Sequence, residues 1–279
     1  MPSRPGRDVF GDRTASLRLF FISVSRTQKL MEASTPAIER SRDLVAGLHK
    51  KFEAEPADAD SDDDPMHFSV EKLDDGNIRA SMGSDVFATI KSMVDQEHAV
   101  TEGLQNHLHG IACVALWSSF EGYIQSVLEE VFRADTKLLI SEKPISISSV
   151  VANADQIIDY LVSQEIESVG RKSFSDLDAY LKSRLRVQVG NKFKTKMEGA
   201  YWVRNVVAHT AGYVRPEQAS LCPTGVGVFN RQLHVSTEYV RDIADCLKGA
   251  VTSLDVRLSE LYLVPKASSD DPVVELGSN

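Results

Sequence analysis

Residues 101–134 read TEGLQNHLHGIACVALWSSFEGYIQSVLEEVFRA, and this stretch decides the fold class. Its apolar residues recur at intervals of three or four, which is typical of an amphipathic helix. The side chains predicted to face inward are Leu104, Leu108, Ile111, Val114, Ala115, Trp117, Phe120, Ile124, Val127, Leu128 and Val131. Because a long apolar helix face must be covered by other elements, the stretch predicts a helical bundle.

The same helical spacing recurs on both sides of this stretch. Upstream, one helix is predicted from Arg13 to about Met31, and a second one starts with Thr35 as its N-cap and Pro36 in its first turn. Further helices are predicted over 85–97, 148–163, 173–185, 197–209 and 237–262. Asp75-Gly76 and a weak alternation over 226–235 predict two small hairpins. The sequence therefore predicts a mainly α protein with small β-hairpin embellishments.

Four regions follow from these patterns. We expect a flexible tail over 1–12, a helical N-terminal region over 13–98, a helical domain over 99–264 and a second flexible tail over 265–279. Within the N-terminal region, residues 53–65 hold seven acids and two prolines, which predicts an acidic loop.

Composition excludes several classes of protein. Of the 279 residues, 42% are hydrophobic and 25% are charged, as in an ordinary globular protein. Three widely spaced cysteines argue against a disulfide framework or a zinc site, and favour a reducing compartment. No apolar run approaches the roughly 20 residues of a membrane span, and the N-terminus lacks the apolar core of a signal peptide. We therefore expect a cytoplasmic protein.

Charge is distributed unevenly along the chain. The net charge is −9, yet residues 171–215 hold ten basic and three acidic side chains, so this segment carries +7 and the remainder −16. A basic segment on an acidic protein is a candidate surface for a polyanion, although a solvated helix face fits it equally well. The candidate RNA-binding residues are Arg184, Arg186, Lys192, Lys194 and Lys196. The alternation of the three lysines predicts a strand or loop there.

The sharpest local pattern is the segment YWVRNVVAH at residues 201–209. Asn205 and His209 are four residues apart, so on a helix they lie about 40° apart on one face, and Arg204 can reach the same place. A histidine that titrates near neutral pH can act as general acid or base toward a ribose 2′-OH. A guanidinium can hold a phosphate. The plainer alternative is that His209 caps the helix and Arg204 pairs with a surface acid.

Residues 204–209, RNVVAH, resemble the R-N-x-x-x-H signature of HEPN domains. Upstream, LWSSFEGYI at 116–124 resembles the aromatic-bearing FE-x-Y helix of prokaryotic HEPN groups, and HTAG at 209–212 is similar to the exit from their catalytic helix. The resemblance covers about residues 100–263, and stand-alone RiboL-PSP or MAE-type proteins are the most similar subgroup. It implies an up-and-down helical bundle that forms a homodimer around a composite site.

The resemblance also implies a metal-independent endoribonuclease without a cofactor, of the kind used in toxin–antitoxin systems or antiphage abortive infection. Arg204 would then bind the phosphate, His209 would transfer the proton, Asn205 would orient the substrate or the histidine, and Glu121 would neighbour the site. RNA would be the substrate, and an antitoxin or another defence-system protein a possible partner. The alternative is a non-catalytic HEPN module that binds nucleotides or proteins as a sensor or adaptor.

Other kinds of site fit the sequence less well. His107 and His109 are two residues apart, about 200° around a helix, so they cannot bind one metal ion together. We therefore predict no metal site. Ser118 and Ser119 lack the glycines of a nucleophile elbow, which argues against a serine hydrolase. Trp117, Phe120 and Tyr123 fit core or dimer packing better than a base-stacking platform.

Overall fold

The computed structural model describes residues 14–54, 66–74, 76, 78–139, 153 and 156–263. The fold is mainly α with two small antiparallel hairpins, which confirms the predicted fold class. Its helices are α1 (Ala15–Ala54), α2 (Ser84–Ala134), α3 (Ile157–Gly170), α4 (Phe174–Leu185), α5 (Asn191–Thr210), the short α6 (Pro216–Ala219) and α7 (Thr237–Leu258). The two predicted tails and most of the acidic loop lie outside the described residues.

Helix α1 is one helix of 40 residues, where the sequence predicts two. The predicted break at Thr35-Pro36 is wrong, because the helix continues through Pro36. The Thr35 hydroxyl donates a hydrogen bond to the Met31 carbonyl at 2.8 Å, and Arg40 Nε donates to the Pro36 carbonyl at 3.1 Å. Pro36 has no N–H to donate to the carbonyl of Glu32, four residues earlier, so the helix continues with one backbone hydrogen bond fewer.

Helix α2 joins two predicted helices into one of 51 residues. Its C-terminal half follows the predicted inward face, since Trp117, Phe120 and Val127 are at most 2% exposed. Leu104 and Ile111 do not follow it: they are 39% and 46% exposed. An 18-residue window of α2 is long and apolar enough to cross a membrane, but half of that window is buried inside the protein, as in many core helices.

The two hairpins lie close to where the sequence places them. β1 (Phe68–Lys72) pairs with β2 (Ile78–Met82), and Gly76 in the connection has a φ of 85°, which favours glycine. β3 (Val226–Phe229) pairs with β4 (Gln232–Val235) through Asn230 and Arg231, which both have positive φ. Positive φ at both central residues is the geometry of a tight two-residue turn.

The chain divides into two compact units, and both boundaries fall inside the long helices. Unit 1 comprises Met1–Thr27 and Ala112–Asn279, and unit 2 comprises Gln28–Ile111. These units do not coincide with the regions 13–98 and 99–264 expected from sequence, because the start of α1 packs with the C-terminal part of the chain. Phe20 of α1, for example, contacts Tyr123 edge to face, with ring centroids 6.0 Å apart.

The core of unit 1 lies along α7. The apolar residues of 237–262 recur at helical spacing and predict one inward face. Val240, Leu247 and Leu258 of that face are at most 2% exposed, whereas Leu261, beyond the end of α7, is 39% exposed. Asp255 on the same helix is 1% exposed and accepts hydrogen bonds from the Tyr123 hydroxyl and from the backbone and side chain of Thr14. This buried polar cluster fixes the start of α1 against α2 and α7 within unit 1.

Candidate functional site

Helix α5 carries the segment with Arg204, Asn205 and His209. The predicted start at residue 197 is wrong, because the helix begins at Asn191. The first turns fold as helix because Phe193 and Met197, one turn apart, share a face: the Phe193 ring lies against Gly249 of α7, and Met197 is fully buried. The alternating lysines concealed this apolar spacing in the sequence.

The helix ends as its sequence predicts. Ala211 adopts the left-handed conformation with φ of 51°, and its N–H donates to the carbonyl of Val206. Gly212 follows with φ of 86° and donates to the same carbonyl. This is the usual glycine-assisted C-terminus, and it fixes the last turn that carries His209.

The Arg204 guanidinium is held by two neighbours. Its Nη1 donates to Asn205 Oδ1 at 2.9 Å, and its Nη2 lies 3.3 Å from Glu121 Oε1 on α2. The side chains of Arg204 and Glu121 are 25% and 32% exposed, so this ion pair lies at the edge of the core rather than free in solvent. The structure thus brings together three of the four predicted catalytic residues.

Trp117 extends this arrangement toward the core. Its Nε1 donates to Glu121 Oε1 at 2.9 Å, and the two residues are one helical turn apart on α2. Its ring contacts Phe174 edge to face and lies 5.3 Å from the Tyr201 ring. The sequence predicts packing for Trp117 but not this hydrogen bond, although the four-residue spacing to Glu121 allows it.

One polar atom of the Arg204 side chain lacks a partner. Its Nε is buried and makes no hydrogen bond within the described part of the chain. A buried unsatisfied donor is uncommon in proteins, and such a group is often completed by a ligand or solvent. Glu121 and Asn205 therefore leave one donor of the Arg204 side chain unsatisfied.

His209 lies five residues after Arg204 on α5 and is exposed. It makes no hydrogen bond or ion pair with the described residues. Asn205, which shares its helix face, directs its side-chain oxygen to Arg204 instead. The imidazole is therefore open to a bound molecule, and it does not form part of the Arg204 ion pair.

The three lysines of α5 do not form one surface. Lys194 Nζ lies 2.7 Å from the buried carboxylate of Asp178, and Lys196 Nζ lies 3.1 Å from Asp242. The Asp178 carboxylate raises the pKa of Lys194 by hydrogen bonding and charge. The predicted strand or loop is wrong, because the segment is helical. Residues two apart on a helix face nearly opposite directions, so Lys194 points away from Lys192 and Lys196.

Lys192 has a different environment. Its ammonium lies 4.7 Å from the centroid of the Phe193 ring, and it borders a groove of about 490 Å³ that Lys248 and Arg257 of α7 also line. Lys192 is thus the one of the three lysines that borders this groove. It starts α5, about 18 Å along the helix from Arg204 by the helical rise.

The two remaining basic candidates lie at the end of α4. Arg184 is partly buried in the last turn, whereas Arg186 is exposed and adopts a left-handed conformation with φ of 55° just after the helix. The N–H of Arg186 donates to the Leu181 carbonyl and closes the helix. The position of Arg186 is therefore fixed by its role as a helix cap.

The histidines of α2 lie as their spacing predicts. His109 is 4% exposed, whereas His107 is exposed. Across the described ranges, no group of three or more His, Cys, Asp or Glu side chains could hold a metal ion. The three cysteines are free thiols, and burial raises the pKa of Cys113 to about 12.

Chemically, the site combines a fixed guanidinium with an accessible imidazole in the last turns of one helix. A guanidinium presents planar donors suited to phosphate or carboxylate groups, and an imidazole can accept or donate a proton. No family model matches the sequence, and neither a curated protein nor a solved structure matches the chain significantly.

Proposed function

We propose that the chain is an endoribonuclease of the HEPN type. The observation that carries this proposal is the Arg204 guanidinium, which Glu121 and Asn205 anchor and whose Nε has no partner among the described residues, five residues before the exposed His209. This is the pairing of a phosphate-binding cation and a proton-transfer group that RNA cleavage requires. It is also the arrangement that the resemblance of residues 204–209 implies.

The reaction would proceed by attack of a ribose 2′-OH on the adjacent phosphate. The bond between the 2′ oxygen and phosphorus forms while the bond to the 5′ oxygen breaks, which leaves a 2′,3′-cyclic phosphate and a 5′-OH. One proton leaves the 2′-OH and one joins the 5′ oxygen, so an acid and a base are both needed. In a composite dimer site, His209 of each copy would supply one of them, without a metal ion or cofactor.

Glu121 and Trp117 would act on the arginine rather than on the RNA. Glu121 fixes the guanidinium, and the Trp117 hydrogen bond fixes the carboxylate. A guanidinium already in place loses less entropy when it binds phosphate. Lys192 and Arg186 would add phosphate contacts away from the site, whereas Lys194 and Lys196 are already paired with acids.

A second candidate function is a non-catalytic HEPN module that binds nucleotides or proteins as a sensor or adaptor. The Glu121 carboxylate favours it, because it already offsets the positive charge with which Arg204 would stabilise the transition state of cleavage. In either case we propose a cytoplasmic protein of a toxin–antitoxin or antiphage system, with an antitoxin or other defence protein as a possible partner.

The test is cleavage of total RNA by the purified full chain in the presence of EDTA. We expect cleavage, with cyclic phosphate at the new 3′ ends, and a rate lower by about 10²–10⁴ in Arg204→Ala and in His209→Ala. His107→Ala is the matched control, since it removes an exposed histidine from another helix. Circular dichroism checks that each variant is folded.

Two outcomes would contradict the proposal that the chain is a nuclease. Full activity in His209→Ala would remove the proposed proton transfer. An inert wild-type chain that binds RNA, with binding weakened by Arg204→Ala, would support the binding module instead.

A further inference from the structure

Trp202 lies on α5, the helix of the candidate site, and has no role in the site described above. It is half-buried, and among the described residues none forms a hydrogen bond or a ring contact with its indole. The other tryptophan of the chain, Trp117, is buried in ring contacts with Phe120, Phe174 and Tyr201. Trp202 thus has an aromatic surface that the described part of the chain does not pair.

Trp202 shares a helix face with two residues of the candidate site. At about 100° per residue, His209 lies about 20° from Trp202 around α5, and Asn205 about 60°. We call the strip of Trp202, Asn205 and His209 the imidazole face. By the helical rise, Trp202 and His209 are about 10 Å apart along the axis. A nucleotide whose 2′-OH lies at His209 therefore has its own base, or that of its neighbour, within reach of the indole.

The position of Trp202 around the helix explains its partial burial. Val206 and Val203 lie about 40° and about 100° from it, on the side away from His209. Both valines are at most 3% exposed. The indole therefore lies at the border between the core and the imidazole face. A ring held at such a border loses little entropy when a planar group stacks on it.

The charges near this face favour contact with a base rather than with a phosphate. Glu198, about one turn before Trp202 on the same side of α5, is exposed, and its carboxylate would repel a phosphate. Lys194, about one turn further back, is already paired with Asp178. Stacking of a base on an aromatic ring needs no charge, because every base has a π face.

We propose that Trp202 is a stacking residue, on which a nucleobase next to the cleaved phosphate packs. This inference rests on the proposed function, because that function supplies the RNA. It assigns recognition of the base to Trp202, while Arg204 binds the phosphate and His209 transfers the proton. A base inside a duplex is already stacked on its neighbours, so the indole selects single-stranded RNA.

The first measurement is tryptophan emission of the full chain, titrated with a short single-stranded RNA whose 2′-OH groups are replaced by fluorine so that it cannot be cleaved. The chain holds two tryptophans, and Trp117 is only 2% exposed, so a change in emission reports mainly on Trp202. We expect a loss of emission as the RNA binds, and no loss in Trp202→Phe. A duplex of the same sequence should leave the emission unchanged.

The second measurement is the affinity for the same RNA carrying a dye, followed by fluorescence anisotropy. Trp202→Leu should raise the dissociation constant about 5- to 150-fold, which corresponds to the loss of one stack between a base and an aromatic ring. The salt dependence of binding should not change, because no phosphate contact is lost. Trp202→Phe keeps a ring and should recover most of the affinity.

Phe229→Leu is the matched control, because it removes an aromatic ring that is 65% exposed on β3 rather than on α5. It should bind the RNA like the wild type. Circular dichroism checks that each variant is folded. If Trp202→Leu fails to fold, the emission of the wild type and of Trp202→Phe decides the question.

The outcomes separate this inference from the nuclease proposal. A chain that does not cleave RNA, but loses emission with it and affinity in Trp202→Leu, supports the stacking residue and contradicts the nuclease. A chain that cleaves RNA and binds it equally well in Trp202→Leu overturns the stacking residue alone. Emission loss that persists in Trp202→Phe would come from Trp117 and overturn it as well. So would a dimer that becomes monomeric in Trp202→Leu by light scattering, because the indole would then lie between two copies.

Discussion

Units 1 and 2 use the same two long helices in different ways. In unit 1, α2 buries one broad face, and Leu116, Phe120 and Val127 on that face are completely buried. In unit 2, the preceding part of α2 packs on α1 and leaves Val100 and Leu104 exposed. A single helix can thus change from a core element to a surface element without a break in its backbone.

The difference explains where the candidate site lies. Arg204 and Glu121 lie at the edge of the packed unit, where the Trp117 indole donates a hydrogen bond to Glu121 and its ring packs against Phe174. A site needs such rigid support to keep its charged groups in place. Unit 2 instead exposes Leu44 on α1 and Val100 on α2.

The largest effect that separates the two units should come from a core leucine. Leu247 in unit 1 is completely buried, whereas Leu44 in unit 2 is 68% exposed. We expect Leu247→Ala to lower the free energy of unfolding by about 2–5 kcal/mol, because it leaves a cavity. The matched Leu44→Ala should change it by less than about 0.5 kcal/mol.

Urea denaturation followed by circular dichroism measures both variants, at a dilution at which the chain is monomeric. Equal losses of unfolding free energy in Leu247→Ala and Leu44→Ala would contradict the proposed difference between the two units. They would mean that the exposed leucine is covered within the single chain.

A smaller effect should come from the buried polar cluster of unit 1. Asp255 accepts hydrogen bonds from Tyr123 and Thr14, and burial together with the Asp255 charge raises the pKa of Tyr123 well above its ordinary value. Asp255→Ala would leave these donors without an acceptor, at a cost of about 2–3 kcal/mol. Asp255→Asn keeps an acceptor oxygen and should cost less than about 1 kcal/mol.

Thermal unfolding of the two variants makes the measurement. If Asp255→Ala were as stable as the wild type, the cluster would not anchor the start of α1. If Asp255→Asn were as damaging as the alanine variant, the negative charge rather than the hydrogen bonds would be essential.

The sequence predicts those parts of the fold that depend on local spacing. The helical class, the two hairpins, the end of α5 and the inward face of α7 follow from periodicity and turn residues. Thr35-Pro36 misled the prediction, because a packed helix tolerates one proline that an isolated helix would not. Leu104 and Ile111 misled it as well, because periodicity identifies an apolar stripe but not which neighbour covers it.

The candidate site was predictable as a set of residues but not as a geometry. The four-residue spacing of Asn205 and His209 predicts a shared face, yet Asn205 binds Arg204 instead. Glu121 is 83 positions away from Arg204, so only the folded chain brings the two side chains together. The separate partners of Lys194 and Lys196 could not be predicted either, because Asp178 and Asp242 lie on other helices.

The smallest effect should be a pH dependence at the start of α1. Ser16 donates a hydrogen bond to Glu130 on α2. Burial raises the pKa of Glu130 above 4.5, the Ser16 hydrogen bond opposes this, and the charges of Asp255 and Glu129 add to it. The folded chain therefore binds more protons than the unfolded chain between the two pKa values, so stability falls as pH rises through that window.

Replacement by glutamine removes this titration and keeps an oxygen that can accept from Ser16. We therefore expect Glu130→Gln to melt about 1–2 °C above the wild type at pH 7, and at nearly the same temperature near pH 4. Glu129→Gln is the matched control: Glu129 is exposed and pairs with Arg133 at 2.9 Å, so its loss should give no gain at pH 7. A lower melting temperature for Glu130→Gln at pH 7 would contradict the prediction, because the charged hydrogen bond to Ser16 would then outweigh the cost of burying the carboxylate.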